Sequence, residues 1–476
     1  ALIARDPLGI KPLYAVRRGP LLAVASEMRP LLRVVPAKPD EDALAELLTF
    51  GWAAGAQSNL VGIERIPGGT AIEVPLDGGA TQSRCFFDIL STLEPAEDGA
   101  EELLESVPES VEQSITAHLA SDVGYTAQLS GGVDSSLVAA IAAKHAERSL
   151  VTYGVQLENA AYDEGEFRQM VVDRYNLDHK EIALTGRDFA SALPDAVHHM
   201  EGPVPHGGCV MLKLLCREAR TQSKVVLTGE GADEMFGGYL RYAIWRRLKW
   251  QERAARILPQ GLLPPIWPFL NIRRVGRRDA AVFSPVYHDL ASMHRLFPEL
   301  IPSVDARRGV SRRFRDFRDR LFAVDQTAYL ESLLVRQDKM SMSESVEARV
   351  PFVHLPLLKQ VNRLSRHSRV PGGITKPILK RMADEYLPHD LVHRRKVGLR
   401  LPYDYWIADV NALGRYLPLL TESGCHLANY AAPGTLAAVV DAFRRGQRAG
   451  LPALFWLINV ELWLRDVSKT PAPSAT

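Results

Sequence analysis

Through the middle of the chain, short apolar runs alternate with stretches of helical spacing, and that alternation sets the first expectation of fold. Val123 to Leu129 reads as a buried strand, and Leu137 to Lys144 as the helix that follows. Leu150 to Val155 is the next strand, Glu164 to Tyr175 the next helix, and Val225 to Leu227 a third strand. Strands interleaved with helices predict a parallel α/β sheet. An amphipathic helix is expected over about 101 to 120, ahead of the first of these strands. Upstream, residues 1 to about 90 carry short strand-like pieces, among them Leu21 to Ala25 and Thr70 to Val74, and one helix at Glu41 to Phe50 opened by Pro39-Asp40. Leu90 to Gly99 turns acidic and small and reads as a linker. Beyond Tyr239 the pattern is mostly helical, with Leu454 to Trp463 as a core helix. Ile257 to Leu270 is broken by prolines and reads as a loop or interrupted helix, and Thr470 to Thr476 as a disordered tail.

The junction of the first strand and its helix is Leu129-Ser130-Gly131-Gly132-Val133-Asp134-Ser135-Ser136. Glycines let the backbone approach a ligand closely, and the helix N-terminus offers unpaired N–H groups and a positive dipole end to phosphate. Ser130, Ser135 and Ser136 add hydroxyl donors, and Asp134 a carboxylate suited to Mg²⁺ beside phosphate. The loop lacks the lysine of a Walker A sequence and is not the GxGxxG of a dinucleotide site. It is similar to the pyrophosphate loop of enzymes that split ATP into AMP and pyrophosphate while adenylating a carboxylate.

Composition narrows the class without choosing the chemistry. The 476 residues, 46% hydrophobic and 24% charged, are those of an ordinary globular protein of at least two domains. A formal charge of +1 makes no case for nucleic acid or an anionic membrane. Cys85, Cys209, Cys216 and Cys425 form no CxxC pair and no zinc spacing, so a reducing, cytoplasmic location is expected. No apolar run is long enough to span a bilayer.

A second motif, Thr228-Gly229-Glu230-Gly231-Ala232-Asp233-Glu234-Met235-Phe236-Gly237-Gly238-Tyr239, follows the third strand directly and offers a second wall for a metal–triphosphate site. Together with the first loop it resembles the asparagine synthetase family in its glutamine-hydrolysing branch. Three later stretches agree: Arg336 to Met340, Glu347 to Phe352, and Lys376 to Lys380 running on to Arg394 to Leu399. Near the start, Ala4 to Tyr14 and Ala25-Ser26-Glu27-Met28 look like the back half of that family's glutaminase domain. The resemblance implies a doubly wound parallel α/β sheet of the ATP pyrophosphatase type with a helical C-terminal part, over residues 96–476. Residues 1–95 would be the remaining part of an N-terminal nucleophile hydrolase α+β domain.

The departures from the family pattern carry information. The family's glutaminase uses a cysteine directly after the initiator Met, whereas this chain starts at Ala1 with no cysteine before Cys85. The expectation is an N-terminally truncated chain that cannot itself hydrolyse glutamine. His354 stands where the family usually carries Asp, and Met200 to Cys209 departs from its usual Asp-Glu-Pro start.

By resemblance, Ser130, Gly131, Gly132, Ser135 and Ser136 hold the leaving pyrophosphate, and Asp134 and Asp233 bind Mg²⁺. Leu129 and Val155 flank the adenine, with Thr228 and Gly229 nearby. Glu230 occupies the position tied to acyl-adenylate formation and is placed to accept a proton from attacking ammonia. Lys396 stabilises charge on the phosphates, with Lys376 and Lys339 as weaker candidates. Glu347 is the third catalytic candidate, orienting Arg349 or the acceptor. Blander readings stand beside these: Glu234 and Lys339 as surface ion pairs, Arg349 as a structural carboxylate clamp, and His198, His199 and His206 as core or surface residues. The Arg-rich stretch Arg241 to Arg278, with Trp245, Trp250 and Trp267, is a solvated helical face by default and a partner surface otherwise.

The activity expected is ATP-dependent amidation of aspartate through β-aspartyl-AMP, using ammonia that glutamine supplies in the intact protein. One alternative keeps the adenylating machinery and changes the acceptor to a sugar uronic acid or a peptide side chain. Another is a non-catalytic family member. Expected partners are small molecules (the carboxylate, glutamine or ammonia, ATP with Mg²⁺), with neither nucleic acid nor membrane, and with room for a homodimer.

Overall fold

The computed structural model describes residues 1–75, 80–95, 100–159, 162–257, 282–283, 290–394, 401–447 and 451–471. Its larger sheet has five parallel strands in the order β11-β10-β7-β8-β9: β7 (Thr126–Gln128), β8 (Val151–Leu157), β9 (Asp178–Leu184), β10 (Val225–Leu227) and β11 (Glu347–Arg349). The chain winds outward from β7 through β8 to β9, then returns to place β10 on the other side of β7. The winding direction therefore reverses between β7 and β10. In an open α/β sheet a crevice forms at such a reversal, outside the carboxyl ends of the strands.

The sheet residues supply two apolar faces because neighbouring side chains alternate. Val226 and Ala348 join a core with helices Gly186–Met200, Gly208–Ala219 and Leu451–Ser468, in which Trp456 and Trp463 are buried. Ala127, Leu129 and Leu227 face the opposite core, built with Val107–Ala117, Val133–His145 and Pro377–Tyr386. Helices thus cover both faces, the doubly wound arrangement expected. The strand at Val225–Leu227 falls where the apolar run put it, whereas β7 starts only at Thr126, with Val123 exposed. Two strands left no apolar run to find. β9 reads Asp-His-Lys-Glu-Ile-Ala-Leu at the sheet edge, and β11 is three residues, Glu-Ala-Arg.

The N-terminal part is antiparallel: β1 (Leu2–Ala4), β5 (Thr70–Glu73) and β6 (Gln82–Cys85) in one sheet, and β3 (Leu21–Ala25), β2 (Tyr14–Arg18) and β4 (Glu64–Arg65) in another. Helix Glu41–Phe50 begins where Asp40 accepts the Ala43 N–H at 2.9 Å. Ion pairs tie this part to the rest, some of them buried and one, at Lys11, half-exposed. Arg5 meets Glu331 at 2.9 Å, and Lys11 reaches Asp338 at 2.7 Å. Lys339, one of the residues given a surface reading above, is instead buried and paired with buried Glu201, whose carboxylate also accepts the backbone N–H groups of Met28 and Arg29. Within the Arg-rich stretch, Arg241 pairs with buried Asp325 while Trp250 is exposed, so only part of that stretch is a solvated face; its residues from 258 to Arg278 lie outside the described ones.

Arg307 is the least exposed of these anchors. It pairs with Glu46, donates to the Trp52 carbonyl at 2.8 Å, and lies 4.1 Å from the Phe50 ring centre. Removing one partner of such a pair leaves the other charge buried and uncompensated. Arg307→Ala is expected to lower the free energy of unfolding by about 3–5 kcal/mol in a urea titration. A loss below about 1 kcal/mol would be that of an exposed pair and would refute this anchoring role.

Candidate active site

The crevice between β7 and β10 is walled by the two motifs that follow those strands. The Leu129 N–H donates to the Tyr153 carbonyl at 2.8 Å, extending the β7–β8 ladder by one residue. Beyond it the chain turns through Gly131 and Gly132 into helix Val133–His145, whose N-cap Gly132 supplies no side-chain cap. The loop is folded on its own hydroxyls: Ser135 Oγ accepts the Ser130 N–H at 3.1 Å and lies 2.8 Å from Ser130 Oγ. The first turn of the helix has no side-chain cap for its N–H groups, a setting that favours an anion. Val155 sits on β8, the strand next to this loop.

The facing wall starts at Thr228, whose N–H donates to the Arg349 carbonyl at 3.0 Å. Gly229 comes next and lies against the loop; a Cβ there would stand 2.7 Å from the Ser135 nitrogen and 3.0 Å from Asp134 Cβ. Only glycine lets the two motifs close on each other this tightly. Asp134 and Asp233, one from each motif, converge on the ammonium of Lys376, at 2.5 and 2.6 Å. Lys376 is buried, which works to lower its pKa, but the two carboxylates more than offset this and the pKa is raised. Its stem passes over Gly238, where a Cβ would lie 2.1 Å from Lys376 Cε and 1.7 Å from Asp233 Oδ1.

Glu230, next along, is paired with Arg336, and Arg336 also meets the Nε2 edge of His206. Burial, with the guanidinium charge beside it, pushes His206 well below its ordinary pKa, so the imidazole is neutral at pH 7. Glu234, given a surface reading above, is fully buried against the Tyr239 hydroxyl; burial and then the charges of Asp233 and Glu230 push its pKa up to about 8.

The metal expectation can be tested on these atoms. Asp134 Oδ1 is buried and has no hydrogen-bond partner, an oxygen left with an unused lone pair. Two carboxylates at the mouth of a phosphate-type loop are the set Mg²⁺ takes when substrate phosphates complete its shell. The residues fit that ion.

Most of the expected site residues meet here: Leu129 to Ser136, Thr228 to Glu230 and Asp233, with Val155 on the adjacent strand. Glu347 is not brought to this cluster. It lies at the start of β11 opposite Val225, half-exposed, and pairs with Arg349 at 3.1 Å. Arg349 turns away to the carbonyls of His118 and Ala120, so Arg349 is a clamp on that end of the sheet. His354 also stands apart from Glu230, edge-on against His118 with ring centres 5.4 Å apart. Lys396 lies outside the described residues; the residue at 394, Arg394, donates to the Gly131 carbonyl at 3.1 Å and to Glu164 at 2.6 Å. Sequence reasoning ranked Lys376 low and passed over Arg336 and His206 as site residues. The only signal for Arg336 was its place in a matched motif, and for His206 its place in a departing one.

A doubly wound α/β protein whose crevice gathers a glycine-rich loop, an uncapped helix N-terminus and paired carboxylates is the class these features define. Comparison with known proteins then gives the family. The asparagine synthase profile matches residues 106–465, and a glutamine amidotransferase domain profile matches residues 1–85. The chain belongs to the asparagine synthase family. It is 25% identical to asparagine synthetase [glutamine-hydrolyzing] 1 of Bacillus subtilis, over 85% of this chain and 66% of that protein. Asparagine synthetase [glutamine-hydrolyzing] 3 of the same organism is 27% identical over 83% of this chain and 64% of its own length. Amidase chyE of Penicillium rubens is 28% identical over 50% of this chain and 38% of that protein. The chain thus spans about two thirds of the length of the two Bacillus relatives.

The His118–His354 contact yields a pH test. Burial, chiefly, holds His118 below its usual pKa, with Arg349 adding to the effect. A depressed histidine contributes stability above its unfolded pKa near 6.5, and that contribution is lost as pH falls. His354→Asp places a carboxylate beside the ring and is expected to raise the His118 pKa, read by NMR titration of the imidazole. A pKa that stays put would show that the two side chains do not sense each other.

Proposed function

We propose that this chain is the synthetase part of an ATP-dependent amide-forming ligase, residues 96–476, preceded by part of an amidotransferase domain, residues 1–95. In this reading the carboxylate of aspartate is adenylated to β-aspartyl-AMP, and ammonia then displaces AMP to give asparagine. Membership of the asparagine synthase family supports the coarse reading, ATP-dependent amidation. The observation that carries it is the convergence of an uncapped helix terminus, two carboxylates and the Glu230–Arg336 pair on one crevice.

Adenylation asks little covalent chemistry of the protein and much positioning and charge neutralisation. Ser130, Ser135, Ser136 and the N–H groups after Gly131 and Gly132 hold the departing pyrophosphate. Asp134 and Asp233 hold Mg²⁺, which when bound neutralises charge on the phosphates. Leu129 and Val155 flank the adenine, with Thr228 and Gly229 at its edge. Arg336 holds the Glu230 carboxylate at the crevice, where it takes the proton shed by attacking ammonia. Lys396 joins the phosphate side by its place in the motif.

A second reading, with an acceptor other than aspartate, is favoured by one observation. The segment Met200 to Cys209, which departs from the family pattern, delivers the neutral ring of His206 to Arg336 beside Glu230. A sugar uronic acid or a peptide side-chain carboxylate would then be the substrate.

Pyrophosphate release from Mg²⁺–ATP with ammonium chloride, compared with and without aspartate, separates the two. Aspartate-dependent release with asparagine and AMP as products is expected, and Asp134→Ala is expected to cut it by at least a hundredfold, about 2.7 kcal/mol of transition-state stabilisation. Wild-type turnover in that variant would overturn the site. ATP binding without aspartate-dependent release would move the assignment to the second reading.

A further inference from the structure

We propose that the Lys376 ammonium is the resident counter-cation of Asp134 and Asp233 in the nucleotide-free chain, and that it keeps divalent metal off those carboxylates until a phosphate chain arrives with it. The proposal rests on the reading of Asp134 and Asp233 as the metal-binding pair.

The ammonium stands between one carboxylate from each motif, at 2.5 and 2.6 Å, in the position a metal ion bridging them would take. It is held there against local preference. Lys376 has φ +51° and ψ +46°, the left-handed region, and the next residue is Pro377, which disfavours helical backbone before it. It caps the N-terminus of helix Pro377–Tyr386, whose dipole repels a cation. Backbone strain of this kind persists where the surroundings over-determine it, and it gathers at functional sites. What over-determines it here is the pair of carboxylates, together with Gly238, whose missing side chain leaves the path for the lysine stem.

The ammonium also leaves the Asp134 carboxylate incompletely satisfied, since its Oδ1 has no partner. A metal ion entering alone would displace a buried ammonium that has nowhere to go, and a buried unpaired charge is strongly disfavoured. A phosphate chain changes that balance: the metal takes the carboxylates while the displaced ammonium pairs with phosphate oxygen on its other side. Metal and polyphosphate affinities are then coupled, each raising the other by the same factor. Lys376 so becomes a positioning group with two partners in turn, carboxylate before the nucleotide binds and phosphate after.

The test is a Mn²⁺ titration of the full 476-residue chain, read by the EPR signal of protein-bound Mn²⁺ at known free Mn²⁺, with and without inorganic pyrophosphate. Wild type is expected to bind Mn²⁺ at least tenfold more tightly with pyrophosphate than without. Lys376→Met is expected to bind Mn²⁺ alone at least tenfold more tightly than wild type does, and the double variant with Asp134→Asn to lose that gain. Wild type that binds Mn²⁺ alone as tightly as with pyrophosphate, at a site Asp134→Asn removes, would overturn the proposal. A folded Lys376→Met with no gain would do the same. Should that variant not fold, the pyrophosphate coupling in wild type decides the matter by itself. If Asp134→Asn leaves pyrophosphate-dependent Mn²⁺ binding intact, it is the metal-pair reading that fails.

Discussion

Everything at the crevice follows from the cost of gathering carboxylates where water is scarce. Asp134, Glu230, Asp233 and Glu234 come together because two loops after neighbouring parallel strands close on one another through Gly229. Each charge needs an answer, since a buried ion without a partner is among the most unfavourable things a fold can contain. Lys376 answers two of them and Arg336 a third. Glu234 has the Tyr239 hydroxyl instead of a cation, and its pKa of about 8 favours the protonated form at neutral pH. Both cations are delivered from the helical half of the chain, so that half completes the electrostatics of a site whose loops lie wholly in the sheet.

What could be read from sequence was whatever depended on local pattern. The strand before Ser130, the loop and the helix after it are contiguous, so apolar runs and glycines disclosed them. The Thr228 to Tyr239 motif was legible for the same reason. β9 and β11 were not, because an edge strand rich in polar residues and a three-residue strand carry almost no period-two signal. Burial of single charges was equally hidden. Nothing local distinguishes Lys339 or Lys376, both buried, from the exposed lysines around them, and their partners lie more than a hundred residues away in the chain. Glu347 shows the converse: a matched motif drew attention to it, yet two residues of strand separate it from the carboxyl end of the sheet where the site lies.

Helix Leu330–Met342 is one element through which the two halves of the molecule are held in register. Arg336 faces Glu230 in the crevice, Lys339 reaches Glu201 and, through it, the backbone of Met28 and Arg29, and Asp338 and Glu331 meet Lys11 and Arg5. One rod thus carries contacts to the N-terminal part and to the crevice. A displacement along its axis would be felt at both ends, because these charged pairs carry directional hydrogen bonds that do not slide.

The topology of the large sheet has a consequence for how the chain is made. β10 is flanked by β7 and β11, but β11 begins only at Glu347, after the whole of residues 228–346. On a ribosome, β7 to β10 emerge and can pair while the outer edge of β10 still waits for its neighbour. That edge is three apolar residues, Val225, Val226 and Leu227, with unpaired backbone groups, the kind of surface that recruits strands from other nascent chains. The short length of the strand limits the hazard, and the Arg349 to Thr228 bond that finally seals it also fixes the wall of the crevice. The same late-arriving strand therefore both covers the exposed edge and seals one wall of the crevice.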